Sequence, residues 1–187
     1  MIILGSNSTT RAKILKDFGI NFTQKPCDFD EESIKESNPV EYIYKITKGK
    51  KESFEKLYGK NSPFLVADTV VVANGEILGK AKDKDDAKRM LALQSGNFTE
   101  IITCMIFKST SLEFVDISST KYKFLKFHES DLANYLNSDE WRGKAGACMV
   151  EGFCKPYIKE VVGFESTAMG LSIEKLIPFL KLANVYM

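Results

Sequence analysis

The stretch Phe64 to Ala73, FLVADTVVVA, constrains this chain more than any other segment. It is β-branched and apolar almost throughout, as in a strand covered on both faces. Asn74-Gly75 follows at once. That dipeptide supplies the two positive-φ positions of a type I′ turn, so Glu76-Ile77-Leu78 is placed to pair back as a hairpin. A strand buried on both faces needs other strands beside it and helices above and below. Asp68 breaks the run. A carboxylate in such a strand is costly unless it is paired, binds a cation or faces a cleft. Read alone, Asp68 is either an Asp near a strand end held by a structural hydrogen bond, or a carboxylate that binds a cation or activates water. Thr69 beside it points to the opposite face.

The flanking pattern supplies those partners. Ile2 to Leu4 reads as a buried strand, and Ser6, Asn7, Ser8 and Thr9 are all good helix caps. Ile14, Leu15 and Phe18 then recur at helical spacing, with Gly19 as the stop. Residues 39–58 predict a second helix, with Pro39 at its start, Tyr42, Ile43 and Ile46 on one face, and Phe54 and Leu57 continuing the pattern. Gly49 counts against that helix at its middle. A third helix is expected over 83–93, capped by Asp83, with Asp86 in its first turn and Ala87, Met90 and Leu91 facing inward. Residues 99–127 predict two or three strands, and 129–137 a short helix carrying Leu132, Tyr135 and Leu136. A polar loop at 141–146, strands near 147–151 and 157–162, and a last helix over 172–182 complete the order. There is no repeat, low-complexity tract or linker. The expectation is an α/β fold in one domain over 1–187, a curved mixed β-sheet flanked by helices.

Composition narrows the functions open to such a fold. Lys plus Arg is 26 and Asp plus Glu 25, a net charge of +1, which excludes attachment to nucleic acid or membrane by bulk charge. Cys27, Cys104, Cys148 and Cys154 form no C-x-x-C pair, and His128 is the single histidine. A structural zinc site and a disulfide framework are therefore not expected; reduced, mostly buried thiols are. His128 reads as a helix-start residue. The opening MIILG lacks the charge and length of a signal peptide, and no later run reaches membrane-span length, so a soluble, cytoplasmic protein is expected.

Several polar segments could carry chemistry. Between the first strand and helix, SNSTTR offers unsatisfied backbone N–H groups, the hydroxyls of Ser6 and Ser8, and Arg11. That set is either an ordinary cap with a solvated Arg or an anion site, with Arg11 gripping phosphate through two parallel N–H bonds. Asp28, Asp30, Glu31 and Glu32 form either a solvated acidic turn or a source of one hard oxygen ligand for Mg²⁺. Lys50, Lys51, Lys80 and Lys82 read singly as solvated charges, although Lys80 stands out by following Gly79 between hairpin and helix. In WRGKAGACMVEG, Gly143 and Gly146 would let backbone approach a ligand, and Glu151 is a carboxylate on an expected strand.

Taken in order, these segments resemble the Maf family of nucleotide pyrophosphatases, relatives of the inosine triphosphate pyrophosphatases. The family opening L-A-S-x-S-P-R-R-x-x-L-L appears as LGSNSTTRAKIL. An acidic D-E appears as Asp30-Glu31, P-x-x-Y with a later Lys as Pro39, Tyr42 and Lys50, and A-D-T-x-V as Ala67, Asp68, Thr69 and Val71. G-K and D-A appear as Gly79-Lys80 and Asp86-Ala87, and K-A-G-A-Y-x-I-Q-G as KAGACMVEG. The resemblance implies an elongated fold of two lobes with a central cleft, and often a homodimer. It implies a nucleoside triphosphate substrate cleaved to monophosphate and pyrophosphate with a divalent cation, Mg²⁺ or Mn²⁺. By matching position, Asp68 resembles the general base and Glu31 a metal-site or catalytic carboxylate, the two holding the metal. Ser6, Arg11, Lys50 and Lys80 resemble phosphate binders.

Three departures stand out. Thr9-Thr10 replaces Pro-Arg, Cys148 replaces an aromatic residue, and Glu151 replaces the Gln of a branch that resembles a dTTP and UTP hydrolase. Gln both accepts and donates to a pyrimidine edge, whereas ionised Glu only accepts. Glu151 suits the adjacent donors of guanine and matches a branch with 7-methyl-GTP activity, while Ala67-Asp68-Thr69 resembles the pyrimidine branch. A nucleotide-responsive binding protein acting in cell division, a role historically attached to the family, is the alternative to an enzyme.

Overall fold

The structure, a computed structural model, describes residues 1–185. Its elements are β1 (Ile2–Leu4), α1 (Thr9–Asp17), β2 (Phe22–Gln24), α2 (Pro39–Tyr58), β3 (Phe64–Ala73), β4 (Glu76–Leu78), α3 (Lys84–Gln94), β5 (Phe98–Lys108), β6 (Glu113–Phe124), α4 (Glu129–Ser138), β7 (Ile158–Val162), α5 (Glu165–Ala168) and α6 (Ile173–Leu182). The seven strands form one mixed sheet in the order β2-β1-β3-β5-β6-β7, with β4 also on β3. β1 runs parallel to β2 and β3, whereas β4 and β7 pair antiparallel with β3 and β6.

The chain divides into two compact units, and β3, β5 and β6 each contribute to both. The first holds residues 1–68, 103–118 and the segment from Met169 onward. Its core follows from the two-residue period of β3. Leu65 and Ala67 face one way and pack with Ile14 and Leu15 of α1 and with Leu176 and Leu180 of α6. Phe64 and Val66 face the other way, against Phe54 of α2. Both faces of the strand are thereby covered, each fully buried side chain contributing about 1.5–3 kcal/mol. Asp68 shares the parity of Phe64 and Val66, which directs it to the face that α2 covers.

The helix over 39–58 forms despite Gly49, because that glycine has a packing reason. A Cβ there would lie 2.2 Å from the Phe29 ring, so only glycine admits the ring at this closeness. Ile43, Ile46 and Phe54 are buried as expected, but Leu57 is 60% exposed and Phe18 42%, which removes both from the predicted core. Both sit at helix ends, Phe18 as the C-cap of α1 and Leu57 one residue before the end of α2.

The second unit holds residues 69–102 and 119–168. Asn74 and Gly75 both have positive φ, as the hairpin required. Trp141 is fully buried and donates its indole N–H to the Leu136 carbonyl at 3.1 Å, fixing the loop after α4. The strand expected near 147–151 is absent: that segment forms turns. Gly146 and Ala147 have φ of 62° and 52°, which breaks extended backbone, and the Cys148 N–H closes a turn on the Ala145 carbonyl at 3.1 Å. Glu151 therefore stands in a turn rather than on a strand. Among the described residues, no helix is long and apolar enough to cross a membrane.

Candidate functional site

The first unit gathers five of the predicted site residues: Ser6, Arg11, Glu31, Lys50 and Asp68. The loop after β1 starts the arrangement. Ser8 caps α1, its Oγ accepting from the Arg11 N–H at 3.2 Å. Ser6 Oγ accepts from the Ser8 N–H at 3.2 Å and from Arg11 Nη1 at 3.1 Å. Arg11 Nε donates to the Gly170 carbonyl at 2.8 Å, and its Nη2 stands 4.0 Å from Asp68 Oδ1. Burial lowers the Arg11 pKa, partly countered by the charges of Asp68 and Glu31. It remains a cation, since an arginine is not deprotonated in a protein at neutral pH. Nε and Nη1 thus serve Gly170 and Ser6, while the Nη2 edge of the guanidinium faces Asp68.

Lys50 is the hub. Ile46, Lys50 and Phe54 are four residues apart in turn, which puts a lysine on the buried stripe of α2. A charge there requires partners. Its Nζ donates to Glu31 Oε1 at 2.8 Å and also to Asp68 Oδ2. Burial alone would lower its pKa, but the two carboxylates, Asp68 foremost, outweigh it and the net shift is upward. Of the acidic cluster, Glu31 is the carboxylate in this ion-pair network. Asp30 instead caps the 3-10 turn Glu31–Ser33, accepting from the Glu32 N–H at 3.1 Å, and the Asp28 carbonyl receives the Ser53 hydroxyl at 2.7 Å. Phe29 against Gly49 brings this loop onto α2, and Glu31 thereby onto Lys50.

Tyr42 belongs here too, although its motif alone did not place it at the site. Burial raises its hydroxyl pKa, and Glu31 and then Asp68 add to the rise. Its helical position, about two turns before the lysine, was a readable signal of this.

Lys80 and Glu151 lie in the second unit. Lys80 is exposed and pairs its backbone with Ala145 in an antiparallel bridge, and the Gly146 N–H donates to the Gly79 carbonyl at 2.8 Å. The G-K and K-A-G-A motifs are thus stitched together. Gly146 is required there: a Cβ would stand 2.9 Å from Val71 at a positive φ, and buried Gln94 donates to the Gly146 carbonyl at 2.7 Å. Glu151 is half-buried in a turn where the Gly152 and Cys154 N–H groups both donate to the Met149 carbonyl, at 3.1 and 3.0 Å.

Asp68 and Glu31, which share the Lys50 ammonium, carry the hard oxygen donors that a cation such as Mg²⁺ takes, one or two carboxylates with phosphate and water completing its shell. Among the described residues, no group of three His, Cys, Asp or Glu side chains gathers to hold an ion by itself. An ion here would depend on ligands brought by a substrate.

The family described as Maf-like protein matches residues 1–183. A protein of Nitratiruptor sp. named nucleoside triphosphate pyrophosphatase is 54% identical over 178 residues, 94% of this chain and 96% of that one. Proteins of the same name from Helicobacter pylori strain J99 and Campylobacter jejuni are 41% and 39% identical, covering 97% and 96% of this chain and 95% and 100% of theirs. Among solved structures, the Staphylococcus aureus Ham1 protein is similar with a TM-score of 0.53, covering 96% of this chain and 97% of that one. At 13% identity that likeness shows the fold alone. By the match across nearly all its length and by its relatives, this chain belongs to the Maf-like family.

Proposed function

We propose that this chain is a nucleoside triphosphate pyrophosphatase, a hydrolase of phosphoric anhydrides that releases a nucleoside monophosphate and pyrophosphate by attack of water on the α-phosphorus. The observation that carries the reading is the Lys50 ammonium shared by Asp68 and Glu31, with Arg11 beside them, in a chain 54% identical to a relative of that name.

Asp68 orients the attacking water and takes its proton, as a carboxylate with one oxygen anchored by Lys50 is placed to do. Lys50 and Arg11 supply positive charge where negative charge moves toward the leaving pyrophosphate. Ser6 holds Arg11 in place and can turn its hydroxyl to a phosphate oxygen. Asp68 and Glu31 would hold a divalent cation, Mg²⁺ or Mn²⁺, together with the substrate's phosphates. When bound, that cation would polarise the phosphoryl oxygens and neutralise their charge. Lys80 as a further phosphate binder and Glu151 at the base are carried over from the family resemblance. With its acceptor-only carboxylate, Glu151 favours a guanine-type base or a tolerant site over dTTP or UTP. A single working domain, a homodimer and a cytosolic place of action belong to the same reading; light scattering tests the dimer.

A panel of standard and modified triphosphates with Mg²⁺ or Mn²⁺, assayed separately for pyrophosphate and phosphate, tests the proposal. Pyrophosphate release from at least one nucleotide is expected. Phosphate release alone, or tight binding by calorimetry with no turnover, overturns it, and the second outcome favours the binding regulator.

A further inference from the structure

We propose that Cys148 and Cys154 are a reversible dithiol–disulfide pair, oxidised by low-molecular-weight disulfides, that closes the turn carrying Glu151. The two Sγ atoms stand 3.1 Å apart. A disulfide bond is about 2.05 Å, so the sulfurs need approach by only about 1 Å. The backbone already holds them there. Cys148 N–H is bonded to the Ala145 carbonyl at 3.1 Å, and Cys154 N–H to the Met149 carbonyl at 3.0 Å. Met149 follows Cys148 directly, so one hydrogen bond ties the residue beside the first thiol to the residue bearing the second. Closing this short ring therefore orders little that folding has not ordered already.

The other two thiols are placed differently. Cys27 Sγ is 3.4 Å from the Lys50 carbonyl oxygen, and Cys104 is fully buried with its pKa pushed up to about 11, chiefly by burial. Neither has a cysteine neighbour in the first unit's contacts among the described residues.

The order of attack follows from exposure. Cys148 is half-buried and Cys154 wholly buried, so Cys148 meets the oxidant. Its thiol loses a proton to solvent and its thiolate attacks one sulfur of a small disulfide such as oxidised glutathione, expelling one glutathione thiolate. The Cys154 sulfur, losing its own proton, then attacks the Cys148 sulfur of the mixed disulfide and expels the second. Two protein thiols are oxidised and one small disulfide is reduced to two thiols. The contact with Cys154 and then burial push the Cys148 thiol well above its ordinary range, so the reaction is slow at neutral pH and accelerates as pH rises. The ring so formed contains Glu151 and Gly152. Its bearing on base recognition rests on the proposed function; the bond itself does not.

The native full-length chain is equilibrated in buffers of rising oxidised-to-reduced glutathione ratio, quenched in acid, unfolded, alkylated and mapped by mass spectrometry. The expected result is loss of alkylation at Cys148 and Cys154 together, with a bond between them short by two hydrogens. Cys27 and Cys104 stay alkylated, and dithiothreitol reverses the change. In Cys154→Ser the reaction stops at a glutathione adduct on Cys148. Full alkylation of both residues at every ratio, or bonds joining other cysteines, overturns the proposal. Because the readout is thiol chemistry, its failure is separate from any failure of the nucleotide assay.

Discussion

Replacing Lys50 by Met removes the cation that two carboxylates share while keeping most of the apolar stem on the buried stripe of α2. The magnitude can be worked from the exposures. Asp68 and Lys50 are only 16% and 15% exposed, and breaking a buried pair of this kind by removing one partner costs about 3–5 kcal/mol. Glu31 is 37% exposed, so its arm behaves as a surface pair contributing about 0–1 kcal/mol. Arg11 remains 4.0 Å from Asp68 and keeps one counter-charge in place, which brings the total to the low end, about 3 kcal/mol. Urea unfolding in EDTA without nucleotide reads this directly. At a slope of about 2 kcal/mol/M the midpoint falls by about 1.5 M. Two further variants check the cause. Glu31→Gln should cost under about 1 kcal/mol. Adding Asp68→Asn to Lys50→Met should restore stability, because the stranded charge is gone. If Lys50→Met stays within about 1 kcal/mol of the wild type, or if Asp68→Asn deepens the loss, the account of a lysine held in place by its two carboxylates is refuted.

The same pair gives a pH signature: because the Lys50 pKa is raised on folding, its stabilisation is full below the unfolded value of about 10.4 and fades as pH climbs through the folded value. The stability gap between wild type and Lys50→Met should therefore be flat near neutrality and narrow only above about pH 10.4, a profile that titration by denaturation measures. In the loop after α4, Gly146→Ala combines positive φ with a Cβ 2.9 Å from Val71, whereas Gly143→Ala has positive φ and open space. The first should cost about 3 kcal/mol and the second about 1 kcal/mol in the same unfolding assay. Glu151→Gln should move the substrate ranking toward UTP and dTTP; an unchanged ranking in the pyrophosphate panel removes Glu151 from base recognition.

How far the sequence reached can be seen residue by residue. The run 64–73 was readable as a two-sided strand because its composition alone demands cover on both faces, and β3 occupies that span. From its own strand Asp68 was readable only as an anomaly; the ordered motifs of the resemblance grouped it with Glu31, Arg11 and Lys50, but not the ion pairs that join them across segments. Lys50 carried an unread signal: its four-residue spacing from Ile46 and Phe54 puts it on the buried face of α2. Gly49 counted against a helix because propensity is local, whereas its reason, the Phe29 ring, is tertiary. The strand expected at 147–151 failed for a similar cause. Gly146 and Ala147 take positive φ where the Gly146 N–H meets the Gly79 carbonyl, a contact with a distant segment. The pinning of Arg11 by the Gly170 carbonyl, from a residue far along the chain, had no local trace.

The central claim is that water organised by Asp68 attacks the α-phosphorus. Hydrolysis in oxygen-18 water with Mg²⁺, on the best substrate of the panel, tests it most directly when wild type and Asp68→Asn are run together. The account predicts the label in the nucleoside monophosphate, none in pyrophosphate, and a rate for Asp68→Asn lower by about 10²–10⁴ with folding intact by circular dichroism. Label in pyrophosphate, or an Asp68→Asn enzyme as fast as the wild type, contradicts it.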